Sequence, residues 1–256
     1  MLKVRLLIIN WVRSLLAPRP FIGIFYLPRY IKHYFQYRHL SSTEKVVAVD
    51  TYPCLLDATV STPFDSHYFY QGAWLARFLS RQQPSLHIDV GSSVMMVSVL
   101  SGHVKTIFVD YRPLQVDLAN LSSVGANITC LPFQDNSILS LSSQHVIEHI
   151  GLGRYGDPID PEGSVKAAKE LERVLKPGGK LYLSLPVGEQ RVCFNAHRVH
   201  SPGSVIDMFS HMKLLEFSYV NDNGKFVQNG NLVDVERSAY ACGMYVFEKC
   251  PSVGEV

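Results

Sequence analysis

Residues 87–100, HIDVGSSVMMVSVL, decide how the rest of the chain is read. Residues 87–90 suit a buried strand. Gly91 then permits a sharp turn, and Ser92 to Ser101 supply a short helix rich in Val and Met. A strand that runs through a glycine turn into a helix is the first unit of a wound α/β sheet. Glycine at the turn also lets a ligand approach the backbone. A dinucleotide fingerprint would place further glycines where Ser93 and Met95 stand, so a nicotinamide cofactor fits poorly.

Working outward, strand and helix signals alternate. Strands are expected at 86–90, 106–110, 127–131, 137–143, 180–186, 214–220 and 239–248. Helices are expected at 92–101, 113–123 and 203–213. Another begins at Asp160-Pro161, as cap and first-turn proline, and stops at 176-KPGG-179. Asn229-Gly230 signals a tight hairpin before the last strand. The alternation predicts an α/β fold, a doubly wound, mostly parallel seven-stranded sheet with an N-terminal helical arm. The expected domains are a basic aromatic arm (1–40), a helical and loop cover (41–84) and the sheet domain (85–250). His67 to Leu79 reads as a helix within the cover.

Charge separates the arm from the body. Residues 1–40 hold seven basic residues and no acid, giving +7; the remaining 216 carry 17 basic and 22 acidic groups, giving −5. An acidic body repels phosphate, so no nucleic-acid partner is expected. The arm interleaves aromatic and basic residues in 29-RYIKHYFQYRH-39. Its apolar run is broken by Arg13 and ended by Pro18, well short of the ~20 residues that span a bilayer. The pattern suits a helix lying on an anionic membrane surface, and equally an arm packed on its own domain or on a second copy. Five cysteines without a CxxC pair give neither a disulfide framework nor a zinc pattern. The expected location is cytoplasmic, peripheral on the inner face of a membrane where the arm meets lipid. The oligomeric state is left open.

Chemistry is expected beyond the carboxyl ends of the strands, where strand order reverses. Asp89 and Gly91 end the first strand, and Asp110 ends the second, 21 residues on. An acid at that second position grips ribose hydroxyls. Together 126-ANITCLPFQDNSILSLSSQHVIEHI-150 and 169-KELERVLKPGGKLYLSLP-186 resemble class I S-adenosylmethionine-dependent methyltransferases, the branch with an LPF…DNS…LEH…RVLKPGG order. More narrowly, DSHYFYQ, IDVGSS, VDYRP and FNAHRVHSP resemble an uncharacterised methyltransferase-like family of unknown function.

The resemblance implies S-adenosylmethionine as cofactor. It implies Asp89, Gly91 and Ser92 at the methionine end, Asp110 on the ribose and Tyr111 near the adenine. Asn127 would accept from the adenine amino group, Ile128 would contact the ring, and Gln144 and His145 would face the methyl. A hydroxyl acceptor must lose a proton. His145, Glu148 and His197 are the candidate catalytic groups, with His145 foremost. Asn195, Arg198 and His67 are candidate acceptor-binding residues. His145 and His149 have a spacing that can bind metal, but the "EH" pair is common in the resembled branch and no metal is assigned. The expected function is methyl transfer, with O-methylation of a sugar or lipid-linked glycan placed first. The alternative is a non-catalytic scaffold or partner subunit of the same fold at a membrane surface.

Overall fold

The computed structural model describes residues 22–251. They fall into two compact units, divided between Phe64 and Asp65. The first unit contains helix α1 (Ile22–Leu40), a single 3-10 turn (Ala48–Asp50) and extended chain. Arg29 Nη2 donates to the carbonyl of Leu55 at 3.2 Å and ties the extended chain to the helix. Along α1 only Gly23 is buried, while Ile24, Phe25, Ile31, Phe35 and Leu40 are exposed. Among the described residues, no helix is long and apolar enough to cross a membrane. The apolar run broken by Arg13 and ended by Pro18 lies outside the described residues.

The second unit is built on one eight-stranded sheet. Its strands are β1 (His87–Val90), β2 (Thr106–Asp110), β3 (Leu121–Gly125), β4 (Ile138–Gln144), β5 (Leu175–Val187), β8 (Met212–Val220), β9 (Phe226–Val227) and β10 (Ala241–Lys249). A separate hairpin joins β6 (Arg191–Cys193) to β7 (His197–Val199). The sheet order is β3-β2-β1-β4-β5-β10-β8-β9. β1 pairs in parallel with both β2 and β4, so strand order reverses there. β10 is antiparallel to β5 and β8. Its first residues therefore stand at the same sheet edge as the carboxyl ends of β4 and β5.

Helices cover both faces. On one face α4 (Gly163–Val174) buries Ala167, Ala168, Leu171 and Val174, at the helical spacing its sequence showed. α5 (Pro202–Met208) joins it, with Pro202 in its first turn and Ser201 accepting from the Ser204 N–H at 3.1 Å. On the other face α2 (Ser66–Gln82) buries Trp74, Leu75 and Leu79, in a cluster with Tyr182, Met244 and Val246. Asp65 caps it. The short α3 (Val94–Leu100) buries Val97 and Leu100. Fully burying one such leucine stabilises by about 2 kcal/mol.

Four local expectations are corrected. No helix forms at 113–123. Pro113 interrupts the run, Asn120 turns left-handed at φ 62°, and 121–125 become β3 beside β2. The expected strand at 127–131 is instead a turn closed by the Cys130 N–H on the Asn127 carbonyl. Asp160 lies one turn before α4, where it accepts from the Glu162 N–H and from Lys166. The hairpin after β8 turns at Asn221–Gly224, with Gly224 at φ 74°, rather than at Asn229-Gly230. It adds the two-residue β9, which makes eight strands where seven were expected.

The LPF…DNS…RVLKPGG order is a structural clamp. Arg173 donates to Glu170, Asp135 and the carbonyls of Leu131 and Phe133, while Glu170 accepts from the Leu131 N–H at 2.6 Å. One guanidinium thus fixes the loop that leads into β4 and anchors it to α4.

Candidate functional site

A cavity of about 440 Å³ opens beyond the carboxyl ends of β1 and β2, at the reversal of strand order. That volume is of the size that small-molecule sites occupy. Gly91, Ser92, Asp110, Tyr111, Asn127, Ile128 and His145, to which the resemblance gave roles toward the cofactor, all line it. Phe108, Leu114 and Ile150 add apolar wall; Thr129, His149, Tyr155 and Asp157 add polar wall that the sequence reading did not assign to the cofactor. Met95 is 73% exposed and stays out of the cavity.

Gly91 is required by geometry. Its φ is +72°, and a Cβ there would meet Val146 Cγ1 at 2.9 Å and Asp110 Oδ2 at 3.7 Å. The Asp110 carboxylate therefore lies beside the glycine turn. Its Oδ1 accepts from the Arg112 N–H at 2.7 Å, which fixes its orientation. Ser92 follows Gly91 in the turn, and its hydroxyl has a structural duty: Oγ accepts from the Gln144 N–H at 3.0 Å and joins the turn to β4.

Asp89 and Gln144 do not line the cavity, contrary to the expectation. Asp89 is fully buried, accepting from the Ser92 N–H at 3.1 Å and from the Ser142 hydroxyl. Ser142 Oγ and Ser140 Oγ each lie 2.8 Å from a ring nitrogen of His87, which burial keeps neutral by pushing its pKa down to about 3. Burial also raises the Asp89 pKa to about 6, against the hydrogen bonds that favour its charge. Gln144 is turned inward and donates to the Tyr182 carbonyl at 3.0 Å. Asn127 lines the cavity, but its Oδ1 already accepts from the backbone N–H and hydroxyl of Thr129, both at 3.0 Å. It closes a turn, so the carbonyl expected to meet an adenine amine is engaged.

His145 follows β4 at φ 55°, a left-handed conformation that costs a non-glycine residue about 1 kcal/mol or more. Its Nδ1 lies 2.9 Å from Glu148 Oε1, and both residues are buried. Burial alone would lower its pKa, but Cys242 and Glu148 outweigh it and hold the imidazole charged up to about 10. Burial likewise opposes charge on Glu148, but its bond to His145 keeps it ionised and its pKa lowered. The His67 and Tyr68 rings stack against His145, at 5.6 and 5.4 Å between centroids. Tyr240 stacks on His67 at 5.3 Å and lies 5.0 Å from His197. Burial lowers the His197 pKa, so that imidazole is neutral.

Two expected acceptor residues serve the fold. Arg198 is buried. Its Nη1 donates to the Ile150 carbonyl at 2.6 Å and to Ser164 Oγ at 3.3 Å; its Nη2 donates to the carbonyls of Asp160 and Pro161, both at 3.3 Å. Those four contacts consume the guanidinium expected to bind an anion. Asn195, left-handed at φ 60°, donates from Nδ2 to the Leu152 carbonyl at 3.2 Å. Cys242 and Tyr240, brought beside His145 and His67 by β10, were not anticipated. They lie 95 and 97 residues beyond His145 and 173 and 175 beyond His67, and no local pattern marks them.

Residues 90–236 match the model of a family described as "Caenorhabditis protein of unknown function, DUF268". The chain belongs to that family. This DUF268 protein is also 30% identical over 125 residues to the human "Probable tRNA methyltransferase 9B", covering 46% of this chain and 26% of the human one. The chain thus spans about a quarter of the length of that curated relative. Among solved structures, the N-methyltransferase NodS of Bradyrhizobium japonicum, in complex with S-adenosyl-L-homocysteine, matches at TM-score 0.51 and 14% identity over 72% of this chain and 87% of that one. The [4+2]-cyclase SpnF matches at TM-score 0.51 and 13% identity over 70% and 81%. The fold of the DUF268 protein is that of the class I S-adenosylmethionine-dependent methyltransferases. SpnF shows that this fold also carries other chemistry.

Proposed function

We propose that the cavity holds S-adenosylmethionine and that the protein transfers its methyl group to a hydroxyl acceptor, a sugar or lipid-linked glycan first among them. The observation that carries the reading is the Asp110 carboxylate, set beside a glycine turn that has no room for a side chain, at the reversal of strand order. Asp110 would accept from the ribose hydroxyls, its free acceptor capacity remaining after the Arg112 N–H is served. Phe108, Leu114 and Ile128 offer apolar wall to the adenine, with Tyr111 at its margin. The methionine end would rely on Ser92 and the Gly91 backbone, since Asp89 is turned inward.

When bound, the cofactor supplies a methyl group already activated on a sulfonium. The protein's task is then to hold the acceptor in line, exclude water and manage one proton. His145, charged at neutral pH, would orient an acceptor by donating to it. Glu148 would position His145. His197, kept neutral beside Tyr240, is the group able to take the acceptor's proton. The exposed sides of Tyr68 and Tyr240 supply a surface on which the apolar side of a sugar ring can rest.

The arm supports a lipid-linked acceptor. α1 exposes Ile24, Phe25, Phe35 and Leu40 together with Lys32 and Arg38 and carries no acidic residue. Such a helix suits the interface of an anionic membrane. The test is transfer of labelled methyl from S-adenosylmethionine to glycan and lipid-linked glycan acceptors, with tRNA as a control. Label on glycan is expected. Asp110→Ala should abolish transfer, and His197→Ala should reduce it about 100-fold. Binding of the donor without transfer to any hydroxyl acceptor would overturn the O-methylation reading.

A further inference from the structure

We propose that His67, His145 and Cys242 form a binding site for one divalent metal ion of the zinc class. Cys242 Sγ and one ring nitrogen from each histidine all lie within 4.8 Å of one another. Four-coordinate zinc, with bonds of ~2.1 Å to nitrogen and ~2.3 Å to sulfur, holds its ligand atoms roughly 3.3–3.8 Å apart. The trio therefore needs only a small contraction. His67 is half-buried on the first turn of α2, so its ring has freedom to make that movement.

Three further observations point to a ligand. His145 Nδ1 is held by Glu148 at 2.9 Å, which leaves Nε2 as the nitrogen available to a metal; metal binding there displaces the Nε2 proton and takes the place of the hydrogen bond to an acceptor. That Nε2 is buried and has no hydrogen-bond partner among the described residues. A carboxylate behind a histidine, with the opposite nitrogen unpartnered, is the arrangement that supports metal-bound imidazole. His145 also adopts its strained left-handed conformation at this point, which surrounding structure must impose. Finally, the three residues come from separate elements: α2, the turn after β4, and β10. They meet because β10 inserts antiparallel beside β5 and brings its first residues to the carboxyl edge of the sheet. Two imidazoles and a thiolate leave a fourth position for water or a substrate oxygen.

The site does not depend on methyl transfer, and its test reads the metal directly. The full-length protein, stripped with chelator, is titrated with Co²⁺ alone and then with Zn²⁺. The expected result is one Co²⁺ per chain, with a sulfur-to-cobalt charge-transfer band and the visible bands of tetrahedral cobalt, displaced by one Zn²⁺. Cys242→Ser should remove the charge-transfer band, and Cys54→Ser, at an exposed cysteine, should keep it. Because Cys242 is fully buried, His67→Ala at a half-buried position provides a second reading that spares the core. It should weaken Co²⁺ binding at least about tenfold, and Glu148→Gln should weaken it about 10–100-fold. No thiolate band with the wild-type protein, or a band unchanged in both Cys242→Ser and His67→Ala, would overturn the proposal.

Discussion

Replacing Gly91 by alanine tests the turn on which the site is built. Two costs follow from its geometry. At φ +72° an L side chain is strained, at about 1–2 kcal/mol. The added Cβ would also sit 2.9 Å from Val146 Cγ1 and 3.3 Å from Cγ2, an overpacking worth about 1–3 kcal/mol. Gly91→Ala should therefore lose about 2–5 kcal/mol, a large share of a domain stability of order 5–15 kcal/mol. Urea unfolding followed by circular dichroism reads this as a lower midpoint at unchanged slope. The pair Gly91→Ala/Val146→Ala separates the two costs. Removing the valine methyls relieves the contact but not the strain, so the two substitutions should couple favourably by about 1–3 kcal/mol. A Gly91→Ala protein within 0.5 kcal/mol of wild type, or additivity in the double variant, would refute the geometry.

Other expectations follow from buried groups. Asp89 has its pKa raised from 3.8 to about 6, so its contribution to stability is fully present below about 4 and is lost as pH rises to about 6. Asp89→Asn should flatten that fall in a pH series of urea midpoints. Arg198→Ala strips four contacts from a buried clamp and should destabilise by about 3 kcal/mol; its thermal midpoint should drop while cofactor affinity in the folded protein is kept. The full chain should sediment with anionic vesicles and be released by salt, and a chain lacking residues 1–40 should not; retention without the arm would contradict the membrane reading.

The wound sheet was legible because β1, β2, β4 and α4 carry local patterns strong enough to stand alone. Val165, Ala168, Leu171, Val174 and Leu175 follow helical spacing, and Asp89-Val90-Gly91 marks the end of the first strand. The errors lie where tertiary pairing overrides local signal. Residues 121–125, LSSVG, are weak strand formers that become β3 only because β2 offers an unpaired edge. Site residues divide in the same way. Gly91 and Asp110 are placed by backbone geometry that their position in the pattern specifies. Asp89, Asn127, Gln144 and Arg198 carry the right chemistry, but their polar atoms are spent on neighbours that no linear motif reveals. Cys242 reaches His145 only through the order of strands.

The central claim is that the hollow beside Gly91 and Asp110 receives an adenosyl cofactor. Isothermal titration with S-adenosylhomocysteine measures it directly. One site per chain is expected, lost in Asp110→Ala protein that still unfolds cooperatively, with no heat from NAD. Absence of binding at millimolar ligand, or equal affinity in the Asp110→Ala protein, would contradict it and leave the fold as a scaffold.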